Sequence, residues 1–288
     1  MTNCLLLAAI AATAAYSSDT GHPAVLLDAR EQPVSSVRLH VVEKVKNLSG
    51  DSFAEPFAGI GLSDSPGSST MARIITDRDT GRSKGFGFTV VDTSYGLPFL
   101  TYTMKEAWLS RVQYPSFNAR GTKKEEVERG QVLATMRSRG ITINTTHVEY
   151  QTQRQSHDMA KSIIGNIRAR VAGEQLPDLD GVGEIEVNYP DTDSDGDTRV
   201  KPFTISVLAH NARYFLNWFE KSIGSTESKR DIELIYEYED GTSARLILLG
   251  TDIIGATHVH GDPHVDEKDG SRWDFTFKTD KPLFLGNG

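Results

Sequence analysis

From Ile232 to Glu239 the chain sets Ile232, Leu234, Tyr236 and Tyr238 against Glu233, Ile235, Glu237 and Glu239. That period of two fits a strand with one face on a core and the other in water. Asp240-Gly241 follows as a hairpin turn, and Arg245–Leu249 returns beside the first strand. Upstream, Phe203–Val207 reads as a strand. Leu208–Ile223 then carries Leu208, Ala212, Phe215 and Phe219 on one helical face, with Trp218 and Ile223 beside it, until Gly224 stops the helix. Downstream, Trp273, Phe275 and Phe277 alternate on a closing strand. Pro202–Pro282 is therefore expected to form one packing unit, crossed by a connection rich in histidine and aspartate.

The preceding chain is less regular but points to the same class. Val25-Leu26-Leu27 and Val37–Val45 predict two strands around a turn at Arg30–Pro33, and Asn47–Thr70, rich in Gly, Ser, Pro and Asp, predicts a long loop. Arg73–Thr76 and Phe86–Val91 predict a hairpin turning at Asp79-Thr80-Gly81. Strands are also expected at Leu97–Met104, Gln131–Met136, Ile141–Tyr150 and Gly183–Tyr189. Lys123–Arg129 reads as a solvated charged face, and Asp158–Val171, with Met159, Ile163, Ile164, Ile167 and Val171, as a helix ended by Gly173. No internal repeat is legible. The organisation expected is an apolar N-terminal segment over 1–18, a β-rich part over 19–200 with its long loop at 47–70, and a helix-plus-hairpin half over 201–288.

Composition limits the function classes. A net charge of −8 opposes wrapping nucleic acid through a basic surface. One cysteine, Cys4, excludes an intrachain disulfide framework. The longest apolar run, Cys4–Ala15, falls short of the roughly 20 residues that span a bilayer, so no membrane partner is expected. It has no preceding Lys or Arg, which argues against a signal peptide.

Three short motifs bear on chemistry. Lys84-Gly85-Phe86-Gly87-Phe88 resembles the octamer core of RNA-recognition motifs, whose exposed aromatics stack on bases, although Thr89 and Val91 depart from the pattern. Asp191, Asp193 and Asp195, before Gly196, match the first half of a calcium loop, but Pro202 stands where a bidentate Glu belongs. Gly261-Asp262-Pro263-His264-Val265-Asp266 resembles the site of metal-inducible self-cleaving domains of some bacterial effectors, which implies cutting between Asp262 and Pro263. His258 and His260 stand close enough to join His264 and Asp266 around a divalent cation. No catalytic triad can be assigned, and no phosphate-binding glycine loop is present.

The order strand, helix, hairpin, crossing loop and strand over Lys201–Lys281 resembles the C-terminal half of phage tail-tube proteins and the related tube proteins of type VI secretion. Leu216-Asn217-Trp218-Phe219, Arg230-Asp231-Ile232 and Tyr238-Glu239-Asp240-Gly241 carry the likeness. It implies a mainly β fold, a sandwich or barrel with one or two packed helices. It also implies six subunits joined edge to edge in a ring and a structural role without enzymatic turnover. The expected subunit contacts are Ile232, Leu234, Tyr236, Tyr238, Trp273 and Phe275. The partners implied are other copies of the chain, a sheath or neighbouring rings, and DNA or an effector passing through without tight binding. The setting implied is a virion tail or a bacterial secretion apparatus. No cofactor is expected beyond a possible divalent cation.

Overall fold

A computed structural model describes residues 22–27, 30, 33–45, 57–64, 69–79, 86–92, 99–119, 131–146, 164–190, 197–223, 228–239, 241–260 and 270–285. In chain order the first part holds β1 (His22–Leu27), β2 (Pro33–Val45), β3 (Phe57–Asp64), α1 (Ser69–Asp79), β4 (Phe86–Asp92), β5 (Phe99–Tyr114), β6 (Phe117–Asn118), β7 (Val132–Ser138) and β8 (Ile141–Thr146). The second holds β9 (Ile164–Val171), β10 (Glu174–Gln175), β11 (Gly181–Val182), β12 (Ile185–Asn188), β13 (Arg199–Val200), β14 (Phe203–Leu208), α2 (Arg213–Ser222), β15 (Arg230–Tyr238), β16 (Ser243–Val259), β17 (Arg272–Lys278) and β18 (Lys281–Leu285). The fold is mainly β with few helices, as the alternation predicts.

In the first part, β5-β4-β1-β2-β3-β7 closes on itself through β5–β7 pairing, giving a six-stranded barrel. Closure joins the two ends of this strand order, β5 and β7, to each other. The inward side chains alternate along each strand, as Val132, Ala134 and Met136 do on β7, and Ile75 of α1 is fully buried in the same core. In the second part, α2 lies on the sheet through an aromatic cluster. Phe215 stacks on Phe275 with ring centroids 5.2 Å apart, and Trp218 meets Phe277 edge-on at 5.7 Å. Trp218 Nε1 donates to the Ser228 carbonyl at 2.9 Å, so a large ring is buried with its one polar group satisfied.

The two parts repeat the same plan, residue by residue. On β4 and β5, Phe86 faces Ala107 and Phe88 faces Met104 across a bulge; on β15 and β16, Arg230 faces Thr251 and Ile232 faces Leu248 across the same bulge. The offset is 144 residues (86 to 230, 107 to 251), half of the 288-residue chain. Further along, β5 is bulged between Leu109 and Arg111 against β7, and β16 between Ile253 and Gly255 against β17. Each long strand turns at a positive φ, at Glu106 (51°) and Gly250 (62°). Opposite that turn, β7 runs on into β8 and β17 into β18. A hydroxyl closes each break: Ser138 Oγ donates to the Lys105 carbonyl at 2.7 Å, and Thr279 Oγ1 to the Leu249 carbonyl at 2.8 Å.

The remaining elements correspond in turn. β1 lies on β4 as β9 lies on β15, and β3 on β7 as β14 on β17. The helices match too, burying Ala72 and Ile75 in α1, and Phe215 and Trp218 in α2. Among the described residues β2 is handled differently. Its place in the second part is shared by β10, which pairs with β9, and β11, which pairs with β14.

Four expectations are corrected. The loop over 47–70 contains strand β3, whose register runs through Gly59 and Gly61. Arg73–Thr76 lies within helix α1, not in a strand, because Ala72 and Ile75 face the core at helical spacing. Within Asp158–Val171, residues 164–171 are strand β9, not helix. A repeat exists where none is legible, because it conserves register and burial instead of residue identity. The second sheet also draws on β6 and on the chain from Ile164 onward, well before residue 201. Lys123–Arg129 lies outside the described residues.

Candidate assembly surface

The site of interest follows from a difference between the repeats. On β5, the residues beyond the turn pair with β7 on one side and with β12 on the other: Arg111 faces Asn188, Val112 faces Val187, Gln113 faces Glu186 and Tyr114 faces Ile185. Strand β12 comes from the second repeat, so this is a contact between repeats within one chain. The Tyr189 N–H extends it by donating to the Ser110 carbonyl at 2.9 Å. Arg78 at the end of α1 adds a hydrogen bond to the Pro190 carbonyl and lies over the Tyr189 ring.

The equivalent residues of β16 are Gly255, Ala256, Thr257 and His258. They pair with β17 on one side. Among the described residues no strand takes the other side, because β15 ends its pairing at Thr251. Local bonds seal the corner where β15 leaves. Ser228 Oγ donates to Asp252 Oδ1 at 3.0 Å, the same carboxylate accepts from the Ile253 N–H at 2.9 Å, and Ser222 Oγ from the end of α2 donates to the Ile253 carbonyl at 3.1 Å. Past Ile253 that side of β16 has no strand partner among the described residues. Ser110, Val112 and Tyr114 are buried on β5, whereas at the same places on β16 Ile254 is 51% exposed and Ala256 and His258 are half-buried.

The other predicted contact residues lie elsewhere. Ile232, Leu234, Tyr236, Tyr238 and Phe275 are all buried in the chain's own core. Strand β15 is central, flanked by β9 and β16, so the expectation of a free edge at Ile232–Glu239 is corrected: its backbone groups are already paired. The charged face of β15 is bridged to its neighbours, Glu237 with Arg168 and Glu233 with both Arg170 and Arg245 at 3.6 Å. Such half-exposed pairs are each worth only about 0–1 kcal/mol. The Tyr236 hydroxyl finds no hydrogen-bond partner among the described groups, and burial pushes its pKa up. Trp273 is half-buried and stays near the open end of β16, its ring 4.9 Å from that of His258.

His258 and His260 do come together, ring centroids 4.4 Å apart and edge to face. His264 and Asp266, with Asp262–Pro263, lie outside the described residues, as do Asp191, Asp193 and Asp195. Among the described residues no group of three or more His, Cys, Asp or Glu side chains could hold a metal ion, and no helix is long and apolar enough to cross a membrane. Phe88 is only 4% exposed and belongs to the barrel core, so it offers no face for stacking a base.

On the donor side of the internal contact, Glu186 of β12 is held firmly. Burial raises its carboxyl pKa, but hydrogen bonds from Lys201 Nζ at 2.9 Å and Asn188 Nδ2 at 2.9 Å outweigh burial and leave it below the usual value. Sequence reasoning missed the open edge of β16 because an edge is defined by what does not lie beside it. No family model and no curated protein matches this chain.

Proposed function

We propose that the protein is a structural subunit of a homo-oligomeric ring or tube, without enzymatic turnover. One observation carries this reading: a six-stranded barrel and a second sheet repeat one strand plan, and the strand contact that joins the first to the second has a counterpart on β16 with no partner strand among the described residues. A heterologous contact of that kind joins copies head to tail and yields a ring when the rotation closes. The six positions implied by the likeness to tail-tube proteins would then be filled by three chains of two units each. The same reading makes the passing cargo DNA or an effector, with a sheath or adjacent rings as further partners. A net charge of −8 suits a lumen along which a polyanion slides without gripping.

Electron microscopy and native mass spectrometry of the full chain test this. Closed rings or stacked rings with a whole number of chains are expected. A protein that stays monomeric at every accessible concentration contradicts the proposal.

A further inference from the structure

We propose that the open edge of β16, residues Gly255–His258, binds the end of β2, residues Glu43–Val45, of a second copy of this chain, in antiparallel pairing. The inference deepens the assembly reading and rests on it for its partner. The repeat plan supplies the donor as well as the acceptor. Leu39 of β2 faces Leu62 of β3 as Val182 of β11 faces Ile205 of β14. β2 is bulged between Leu39 and Val41, whereas β11 and β12 keep one register against β14 and β13, so past the bulge Glu43, Lys44 and Val45 stand at the places of Ile185, Glu186 and Val187 of β12.

The donors match in their surroundings too. Strand β12 is backed by β13, with Val187 facing Val200, and the end of β2 is backed by the start of β3, with Lys44 facing Ala58 and Val45 facing Phe57. β12 presents its other side to β5. The other side of Glu43–Val45 is unpaired among the described residues, since β1 pairs with β2 only up to Leu39. Among the described residues one chain therefore carries one filled contact of this type, one acceptor without a partner strand and one donor without a partner strand. Two open edges of matching register are a hazard to a lone molecule, and antiparallel addition removes both.

A second observation agrees independently. Within the chain, α1 packs against β18, so the helix of one repeat rests on the last strand of the other. The equivalent contact between copies sets α2 of one chain against β8 of the next. The large apolar side chains exposed among the described residues are Ile143 on β8 (53%), Ile223 at the end of α2 (68%) and Ile254 on the β16 edge (51%). All three lie where the repeat plan places the next copy.

Disulfide trapping tests the register in the full chain. With Cys4→Ser as background, Lys44→Cys and Thr257→Cys are introduced together, the counterparts of the Glu186–Gln113 pair. Mild oxidation should give a ladder of covalent multimers that reducing agent collapses. Either single-cysteine variant should give no ladder, and neither should Lys44→Cys combined with Lys229→Cys, away from the edge. If the wild-type chain assembles but the double variant forms no ladder, or the misplaced pair cross-links as well, this contact is overturned while the assembly reading stands. If the wild-type chain remains monomeric, both fail. Ile254→Lys adds a readout without cysteines: the folded chain should lose its assembled fraction at least tenfold in sedimentation, and unchanged assembly would oppose the contact.

Discussion

The first and second repeats use the same scaffold with different materials. In the first, α1 buries Ala72 and Ile75; in the second, α2 buries Phe215 and Trp218 at the matching places. At the turn of the long strand one has Glu106 and the other Gly250, and the hydroxyl that closes the opposite break is Ser138 in one and Thr279 in the other. What persists is the pattern of bulges, turns and inward positions, because these decide whether a long strand can serve two partners in succession. What differs is the neighbour. β5 is covered by β12, and the matching side of β16 has no strand partner among the described residues. A duplicated unit thus explains how a well-packed core can coexist with strand edges that have no partner among the described residues.

The largest effect should come from the helices. Trp218→Ala removes a fully buried ring and orphans the Ser228 carbonyl, at a cost of about 3–5 kcal/mol, whereas Ile75→Ala should cost about 2–4 kcal/mol. Urea unfolding of both variants checks this. An effect below about 1 kcal/mol for Trp218→Ala would mean the second helix is not part of its core.

The turns should respond in opposite directions. A Cβ on Gly250 would lie 2.5 Å from Asp280 Oδ2, displacing a carboxylate that pairs with Lys229 Nζ at 2.6 Å, at a φ of +62°. Gly250→Ala should therefore destabilise by about 1–2 kcal/mol. Glu106→Gly relieves the same strain and should be neutral or stabilising by up to about 1 kcal/mol. Thermal melts giving the same sign for both would break the equivalence of the turns.

The hydroxyls offer a finer comparison. Ser138→Ala and Thr279→Val each leave a carbonyl without its donor, and each should cost about 1 kcal/mol. Costs differing by more than about 1 kcal/mol in chemical denaturation would mean the two breaks are not held alike.

The smallest effect is on pH. Because the Glu186 carboxyl is lowered in the folded chain, its contribution is fully present above the ordinary carboxylate value near 4.5 and is lost as pH falls through its lowered folded value. Glu186→Gln should flatten that part of the stability-versus-pH curve and leave the neutral region nearly unchanged. An unaltered acid limb would show that Lys201 and Asn188 do not hold the charge.

Where alternation was clean the elements were legible from residues alone: β12, β14, β15, β17 and α2 fall close to their predicted places. Others misled for physical reasons. Ile74-Ile75-Thr76 is β-branched and reads as strand, yet the core takes Ala72 and Ile75 at helical spacing. In β9 a register shift opposite Glu237 and Tyr238 separates inward Ile164 from inward Ile167 by three residues, which imitates a helix. β3 hid behind Gly59 and Gly61, and Gly250 looked like the end of a strand when it is the turn within one. The repeat itself was illegible because Tyr102 and Leu246, or Ile75 and Trp218, share a place but no chemistry beyond being apolar. The predicted contact residues on β15 rest on alternation for a related reason. Alternation marks the face that is buried, and β15 buries its face in its own core.

The central claim is that β16 lacks a strand that β5 possesses and that another copy supplies it. Amide hydrogen exchange followed against protein concentration tests this most directly. Amides of Arg111–Tyr114 that face β12 should be protected at every concentration. Amides of Gly255–His258 on the side away from β17 should exchange fast in dilute monomer and become protected as copies associate. Fast exchange at Gly255–His258 in fully assembled material, or full protection in the isolated monomer, would contradict the account.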